Sequence, residues 1–340
     1  MSLPNAFPIR VADGKTIQMP SLGYGTWASG DTSWAKDATV TALKAGYRHL
    51  DCAWFYGVDE VIGQAIRESG VPREQIFVTS KFWPNFGHPE NVELCLDKIL
   101  KGMGLDYLDQ YLAHWPCVIQ PVSRQALEQA NTSPETSPEQ RGILLKDGKP
   151  VIDWQHSTSN LAAQQNQKGT FVPTWRAMQE TVRKGKTRTV GVSNFSISEL
   201  EELLPHEADI PISCNQIEVH PWLPQNPLID FGKKHGILTT CYSPFAGQKA
   251  DGATLLKDPQ VNELAEKNGM DVGQLLQSWA VQRGTVPLGK SATPARIRSN
   301  LEVRRLGDGD VKVLDGLGLR GDEGRTVDNG PEWGVPFFRN

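Results

Sequence analysis

A strand-then-helix rhythm repeats eight times along this chain, and few folds accommodate it. Apolar, β-branched runs occupy residues 47–53, 75–82, 107–115, 188–194, 212–220, 237–244 and 285–291. A weaker, glycine-rich run at 21–27 makes eight. Helical spacing fills the gaps. Val92, Leu96, Ile99, Leu100 and Met103 share one face of a helix over 89–104. Ser196 followed by Glu199 has the form of a capping box, opening a helix over 196–204. Gly46, Gly70, Gly104, Gly236 and Gly284 each follow a helical stretch, where a C-cap glycine belongs. Eight such units predict an α/β fold of the (β/α)8 TIM-barrel type. An Asp13-Gly14 turn between short extended runs places a β-hairpin over 7–19, ahead of the first barrel strand. The 340 residues read as one domain, 1–340, a size that buries roughly three-quarters of its unfolded surface.

One connection breaks the rhythm. Residues 116–170, after the fourth strand, are rich in Ser, Thr, Gln, Asn and Pro and show no sustained period. This long loop insertion leaves from His114 and Trp115, so it is expected to overhang the mouth, either as a flexible surface loop or as a lid shaping the substrate site. The tail over 322–340 is helix-poor, and Trp333, Phe337 and Phe338 are placed to pack over the same mouth.

Composition excludes several classes. A net charge of −4 offers no footprint for nucleic acid or an anionic membrane. No apolar run approaches the ~20 residues of a membrane helix. The opening MSLPNAFPIR carries no apolar signal core. Five scattered cysteines lack paired metal spacing. They read as reduced thiols of a cytoplasmic protein without a bound metal. Asn131 and Asn194 match the glycosylation pattern by chance.

Four polar residues stand at the ends of strand runs: Asp51 and Tyr56 in LDCAWFYG, Lys81 in TSKFW and His114 in LAHWP. In a barrel those ends line one mouth, where active sites form. Singly, Asp51 and Lys81 could be a buried ion pair and His114 a core histidine. Converging, the four can protonate a carbonyl oxygen, as reduction by a hydride donor requires. A free tyrosine has a pKa of about 10. Lys81, anchored by Asp51, is expected to lower that of Tyr56, which then acts as general acid in reduction and base in oxidation. His114 is expected to orient the carbonyl.

The motifs MPSLGYGTW, YRHLDCAWFYG, TSKFW, HWP, GVSNF, CNQIEVHP, CYSP and GKSATPARIRSN, running from Met19 to Asn300, identify the chain as a member of the aldo-keto reductases. The resemblance is to fungal aldose, aldehyde and glycerol-type members. It implies the Asp51, Tyr56, Lys81, His114 tetrad without a substitution. It also implies NADPH as cofactor. The nicotinamide would stack on Tyr242, beside Ser243, with Thr26 and Trp27 near. Its carboxamide would be held by Ser193, Asn194 and Gln216. The 2′-phosphate would fall to Lys290, Ser291, Arg296 and Asn300, an ammonium, a guanidinium fork and a helix N-terminus being suited to phosphate. Ser299 departs from the family, which often carries a glutamate there to grip adenine. Trp27, Trp54, Phe55, Trp83 and Trp115, with Trp222, would shape the substrate pocket.

The expected function is NADPH-dependent reduction of an aldehyde or sugar carbonyl. Two alternatives share the residues, an NADP-linked polyol dehydrogenase and a uronate reductase. The latter needs a pocket cation, for which Arg124 and Arg141 in the insertion are candidates. A cofactor-binding regulatory subunit with slow catalysis is an alternative of another class. The expected partner is a small carbonyl substrate, and the expected state is a monomer or weak dimer. The run 316–321 matches the dinucleotide fingerprint but lacks the strand before and the helix after it. Asp308 and Asp310 resemble only a fragment of a calcium loop.

Overall fold

The computed structural model describes residues 2–27, 30–133, 136–249 and 251–338. The expected hairpin opens the chain: β1 (Ala6–Arg10) and β2 (Thr16–Pro20) pair antiparallel. Asp13 and Gly14 adopt positive φ in the turn between them. The barrel begins with β3 (Gly23–Gly25), β4 (His49–Asp51), β5 (Phe77–Phe82) and β6 (Leu108–Ala113). The insertion follows, carrying the short strands β7 (Leu145–Lys146) and β8 (Lys149–Pro150). The barrel resumes with β9 (Thr187–Ser193), β10 (Ile212–Glu218), β11 (Leu238–Tyr242) and β12 (Val286–Gly289). Those eight strands, β3–β6 and β9–β12, pair in parallel and close on themselves. Each falls within, or one residue beyond, an expected run. Ile9 and Met19 of the hairpin are buried with Phe77, Val286 and Leu288, closing the barrel floor.

The first barrel strand carries glycine for a steric reason. A Cβ at Gly23 would lie 2.4 Å from Leu288 Cδ2 and 3.0 Å from His49 Nδ1. β3 is wedged between β12 and β4, so closure demands a residue without a side chain.

The outer helices follow the sequence pattern. Helix Pro89–Met103 starts on proline and ends at Gly104, whose φ of 66° admits the turn-back bonds to Leu100 and Lys101. Its buried face carries Val92, Cys95, Leu96, Ile99, Leu100 and Met103. Helix Ile197–Leu203 has the expected capping box between Ser196 and Glu199.

Inside the barrel, a polar layer links the strands. His49 Nε2 meets Thr79 Oγ1 at 3.0 Å, and Gln110 Nε2 donates to Ser213 Oγ at 3.0 Å. Thr79 donates to Gln110 Oε1 at 3.3 Å. Burial first, and the Lys81 charge second, hold His49 down to about 3, so it stays neutral. This layer fixes the strands that carry Asp51 and Lys81.

The described residues of the insertion are neither structureless nor part of the pocket wall. Among the described residues it contains helices Arg124–Gln129 and Ser159–Gln164, and β7 pairs with β8 as a small hairpin. Bridges Ile119–Ile152 and Pro121–Ile143 fold it on itself. Leu127, Ile143 and Leu161 are buried in the main core. It packs behind the mouth. Gly57 shows how closely: its φ is 68°, and a Cβ there would lie 2.2 Å from the Thr132 carbonyl oxygen. No helix among the described residues is long and apolar enough to cross a membrane.

Candidate active site

The C-terminal strand ends bring the four expected residues together. Lys81 is fully buried on β5. Its Nζ donates to both Asp51 carboxylate oxygens at 2.9 Å and to the Cys52 carbonyl at 2.8 Å. It reaches the Tyr56 hydroxyl at 3.4 Å. Gln216 Nε2 adds a bond to Asp51 Oδ1 at 2.8 Å. Asp51 is thus held by two strands besides its own. Tyr56 sits on a one-turn helix, Trp54–Tyr56, and its ring stands 5.8 Å from that of His114, edge to face.

The pKa of Tyr56 shifts in the direction opposite to the sequence expectation. Burial, then the charge of Asp51, pushes the phenol well above 10 rather than below it. The reason is geometric. Asp51 neutralises Lys81 at contact distance, so Lys81 confers little net positive potential on the phenol. Burial and then the Lys81 charge hold His114 well below the usual imidazole range, so it is neutral. The arrangement therefore offers a neutral phenol as proton donor and a neutral imidazole as hydrogen-bonding group, side by side. His114 Nδ1 is buried without a partner.

These groups face a cavity of about 370 Å³. Trp27, Asp51, Phe55, Tyr56, Trp83, His114, Trp115, Asn194, Gln216, Tyr242, Ser243 and Lys290 line it, as expected. Its upper wall is aromatic. Phe55 and Trp83 stack at 3.8 Å with 13° between planes, and Trp83 meets His114 edge-on at 5.0 Å. On the opposite side the Tyr242 hydroxyl donates to Asn194 Oδ1 at 2.7 Å, and Asn194 Nδ2 donates to the His114 carbonyl at 2.9 Å. Ser193 Oγ donates to the Gln216 carbonyl behind them at 2.9 Å.

Other expected residues stand off the cavity. Trp54 is buried against Phe86, with ring centroids 4.7 Å apart, and lines no part of it. A tight one-turn helix points successive side chains in different directions, so Trp54 faces inward while Phe55 and Tyr56 face the cavity. Trp222 belongs to the second core cluster, under Lys249. Thr26 is buried and donates to the Asp51 carbonyl at 2.9 Å. Ser291, Arg296 and Asn300 lie beyond Lys290, at helix Pro294–Leu301. Arg296 is exposed and donates to Thr293 Oγ1 at 2.6 Å. Asn300 is buried, its carbonyl taken by Gln277. Neither candidate arginine of the insertion enters the cavity. Arg124 is tied to Glu128 and Asn91, and Arg141 lies over the back of Phe55, 4.6 Å from its centroid.

Sequence reasoning missed the latch that places the tail. Glu218, at the end of β10, is fully buried. It accepts from the Thr326 and Val327 backbone, from Thr326 Oγ1 and from His220. Burial alone would raise its carboxyl, but these bonds outweigh it and hold it below its usual value. Val327 and Asn329, just beyond, line the cavity. As expected, Trp333, Phe337 and Phe338 pack against Trp115, the first two at 5.7 and 4.7 Å. A glutamate within the strand run 212–220 was the available signal, since a buried carboxylate needs partners.

Comparisons with known proteins agree with this architecture. The Aldo/keto reductase family model matches residues 21–318. The chain is 40% identical over 324 residues to an aldehyde reductase of Saccharomyces cerevisiae, covering 94% of each chain. It is 40% identical to a glycerol 2-dehydrogenase (NADP(+)) of the same yeast, over 94% of this chain and 93% of that one. It is 37% identical to a D-galacturonate reductase of Hypocrea jecorina, over 94% of each. With the barrel and the motif residues at its mouth, these matches show that the chain belongs to the aldo/keto reductase family.

Proposed function

We propose that this protein reduces an aldehyde or sugar carbonyl to the alcohol with NADPH, Tyr56 supplying the proton. The observation that carries the reading is the Tyr56 hydroxyl within reach of Lys81 Nζ and beside His114, backed by the buried Lys81–Asp51 pair, in an aromatic-walled cavity.

The residues present fit the cofactor. Tyr242 offers a ring on one wall. Asn194 and Gln216 present amide groups to the same cavity, with Ser193 supporting Gln216. Lys290 lines the far end. Beyond it Ser291, the exposed guanidinium of Arg296 and the start of helix Pro294–Leu301 make a phosphate site, and Asn300 anchors that helix. When bound, NADPH supplies the hydride. The chain does the rest. His114 positions the carbonyl oxygen, and Tyr56 gives it a proton as negative charge develops there. Lys81 Nζ, 3.4 Å from the Tyr56 oxygen, offers it an N–H donor as the proton leaves, and Asp51, itself bonded by Gln216, holds Lys81 in place. Trp27, Phe55, Trp83 and Trp115 exclude water. In the oxidative direction the same phenolate is the base.

The charge at the substrate end favours a neutral substrate. Among the described lining residues the charged side chains are Asp51 and Lys290. Asp51 is already paired with Lys81, and Lys290 belongs to the cofactor end. Among the described lining residues no cation is left free beside the aromatic wall for a uronate carboxylate. A neutral aldehyde or sugar therefore suits the pocket better. The five cysteines are buried and unpaired, which suits the reducing cytoplasm. The small-molecule chemistry is complete in one chain, as a monomer or weak dimer requires.

Loss of NADPH absorbance with glyceraldehyde, pentoses, galacturonate and an aromatic aldehyde tests the reading. Turnover is expected with a neutral aldehyde, at a kcat/KM about tenfold or more above that for galacturonate, whose carboxylate would be desolvated without a partner. The pH profile tests the proton donor. The phenol is the donor form at every pH below its raised pKa. Reductive kcat/KM should stay level from about pH 6.5 to about pH 9, and alcohol oxidation should climb over that range. A reductive decline centred near pH 8, or no turnover with any neutral carbonyl, contradicts the reading.

A further inference from the structure

Outside the cavity, a second cluster of side chains joins the insertion to the barrel. His88 precedes helix Pro89–Met103, just after β5. Asp153 and His156 lie on the one-turn helix Trp154–His156 of the insertion and its cap. Each of the three offers a ligand atom, and these atoms lie within 4.8 Å of one another. The two imidazole rings stand 4.3 Å apart, edge to face. We propose that His88, Asp153 and His156 form a binding site for a divalent transition-metal ion of the zinc type, which clamps the insertion to the barrel.

The chemistry selects the ion class. Two imidazoles and one carboxylate make a borderline N2O set that suits Zn²⁺ and its neighbours rather than Mg²⁺ or Ca²⁺. Bonds of about 2.0–2.1 Å in tetrahedral geometry put ligand atoms roughly 3.3 Å apart. The present spread closes to that with side-chain rotation. Asp153 Oδ2 already meets His156 Nδ1 at 2.8 Å, so an ion would take the place of the proton these two share. His88 Nδ1 is buried without a hydrogen-bond partner, an orphan that coordination would satisfy. The carboxylate nearest to it, that of Glu90, stands off at 3.9 Å.

Each side is also held before any ion arrives, and the Ile119 N–H of the insertion donates to the Pro84 carbonyl at 3.0 Å. The Asp153 N–H donates to the Val118 carbonyl at 2.8 Å, and Ser157 Oγ accepts from the Val118 N–H at 3.0 Å. On the barrel side, Thr174 Oγ1 donates to the Gly87 carbonyl at 2.7 Å, beside His88. Sequence could not show the cluster, because His88 is far from the other two along the chain.

Zinc chloride titrated into the chelator-stripped intact chain, by calorimetry and thermal melting, tests the site. One ion per chain is expected with micromolar affinity. At a hundredfold excess over Kd, Tm should rise by about 4 °C. His156→Gln and His88→Gln should each abolish that site while circular dichroism and NADPH-dependent turnover persist. Asp153→Asn, which keeps an acceptor for the cap, should weaken binding about tenfold or more, because an amide is a poorer zinc ligand than a carboxylate. Zinc binding that is equal in wild type and in both histidine variants would overturn the proposal, as would the absence of saturable binding below about 1 mM.

Discussion

Tyr56→Phe lowers the turnover number for aldehyde reduction by roughly 10²–10⁴-fold, the range a positioned general acid contributes, while NADPH affinity is retained. The substitution removes one oxygen and leaves the ring, which packs 5.1 Å from Trp27 and 5.8 Å from His114. The cavity wall therefore survives. What is lost is the one neutral O–H of the tetrad. His114 cannot replace it efficiently. Its imidazole is neutral, with a pKa well below the usual range, so it offers a weakly acidic N–H. Steady-state kinetics together with fluorescence titration of NADPH separate the two quantities. Unchanged turnover in the variant would remove Tyr56 as proton donor.

Lys81→Met is expected to damage both stability and catalysis. Lys81 is 0% exposed and makes three short bonds, two to Asp51 and one to the Cys52 carbonyl. Methionine matches the length but leaves Asp51 buried with an uncompensated charge. Breaking a buried pair from one side costs about 3–5 kcal/mol. Urea unfolding should show that loss, and reduction should fall by about a hundredfold or more as the Tyr56 oxygen loses its Lys81 N–H donor and faces the unpaired Asp51 charge. The double variant Asp51→Asn with Lys81→Met should regain much of the stability, because no lone charge remains, and none of the activity. A single variant as stable as wild type would mean that the pair is not the buried contact described.

Much of this is legible in the sequence. Strands buried on both faces leave apolar-rich runs without strict alternation, so seven of the barrel strands stand out. β3 stands out least because Gly23 must yield space to Leu288. The tetrad is legible because each member stands at or just past the end of such a run. The insertion is not: its helices and hairpin strands are two to six residues long. Segments that short have no period of their own and are held by contacts with the rest of the fold. Trp54 turns away from the cavity because of the phase of a one-turn helix, which the letters WFY do not reveal. The direction of the Tyr56 shift is hidden for a related reason. The motifs bring Lys81 to Tyr56, but only distances show that Asp51 already neutralises that charge.

The most direct measurement uses NADPH carrying deuterium at both C4 positions of the nicotinamide, turned over with an unlabelled aldehyde found active in the panel. Mass spectrometry and NMR of the alcohol then locate the label. The account predicts one deuterium on the former carbonyl carbon and none on the exchangeable oxygen, in amounts equal to the NADP⁺ formed. An alcohol without deuterium at that carbon, or NADPH consumed without alcohol, would contradict hydride transfer by this site.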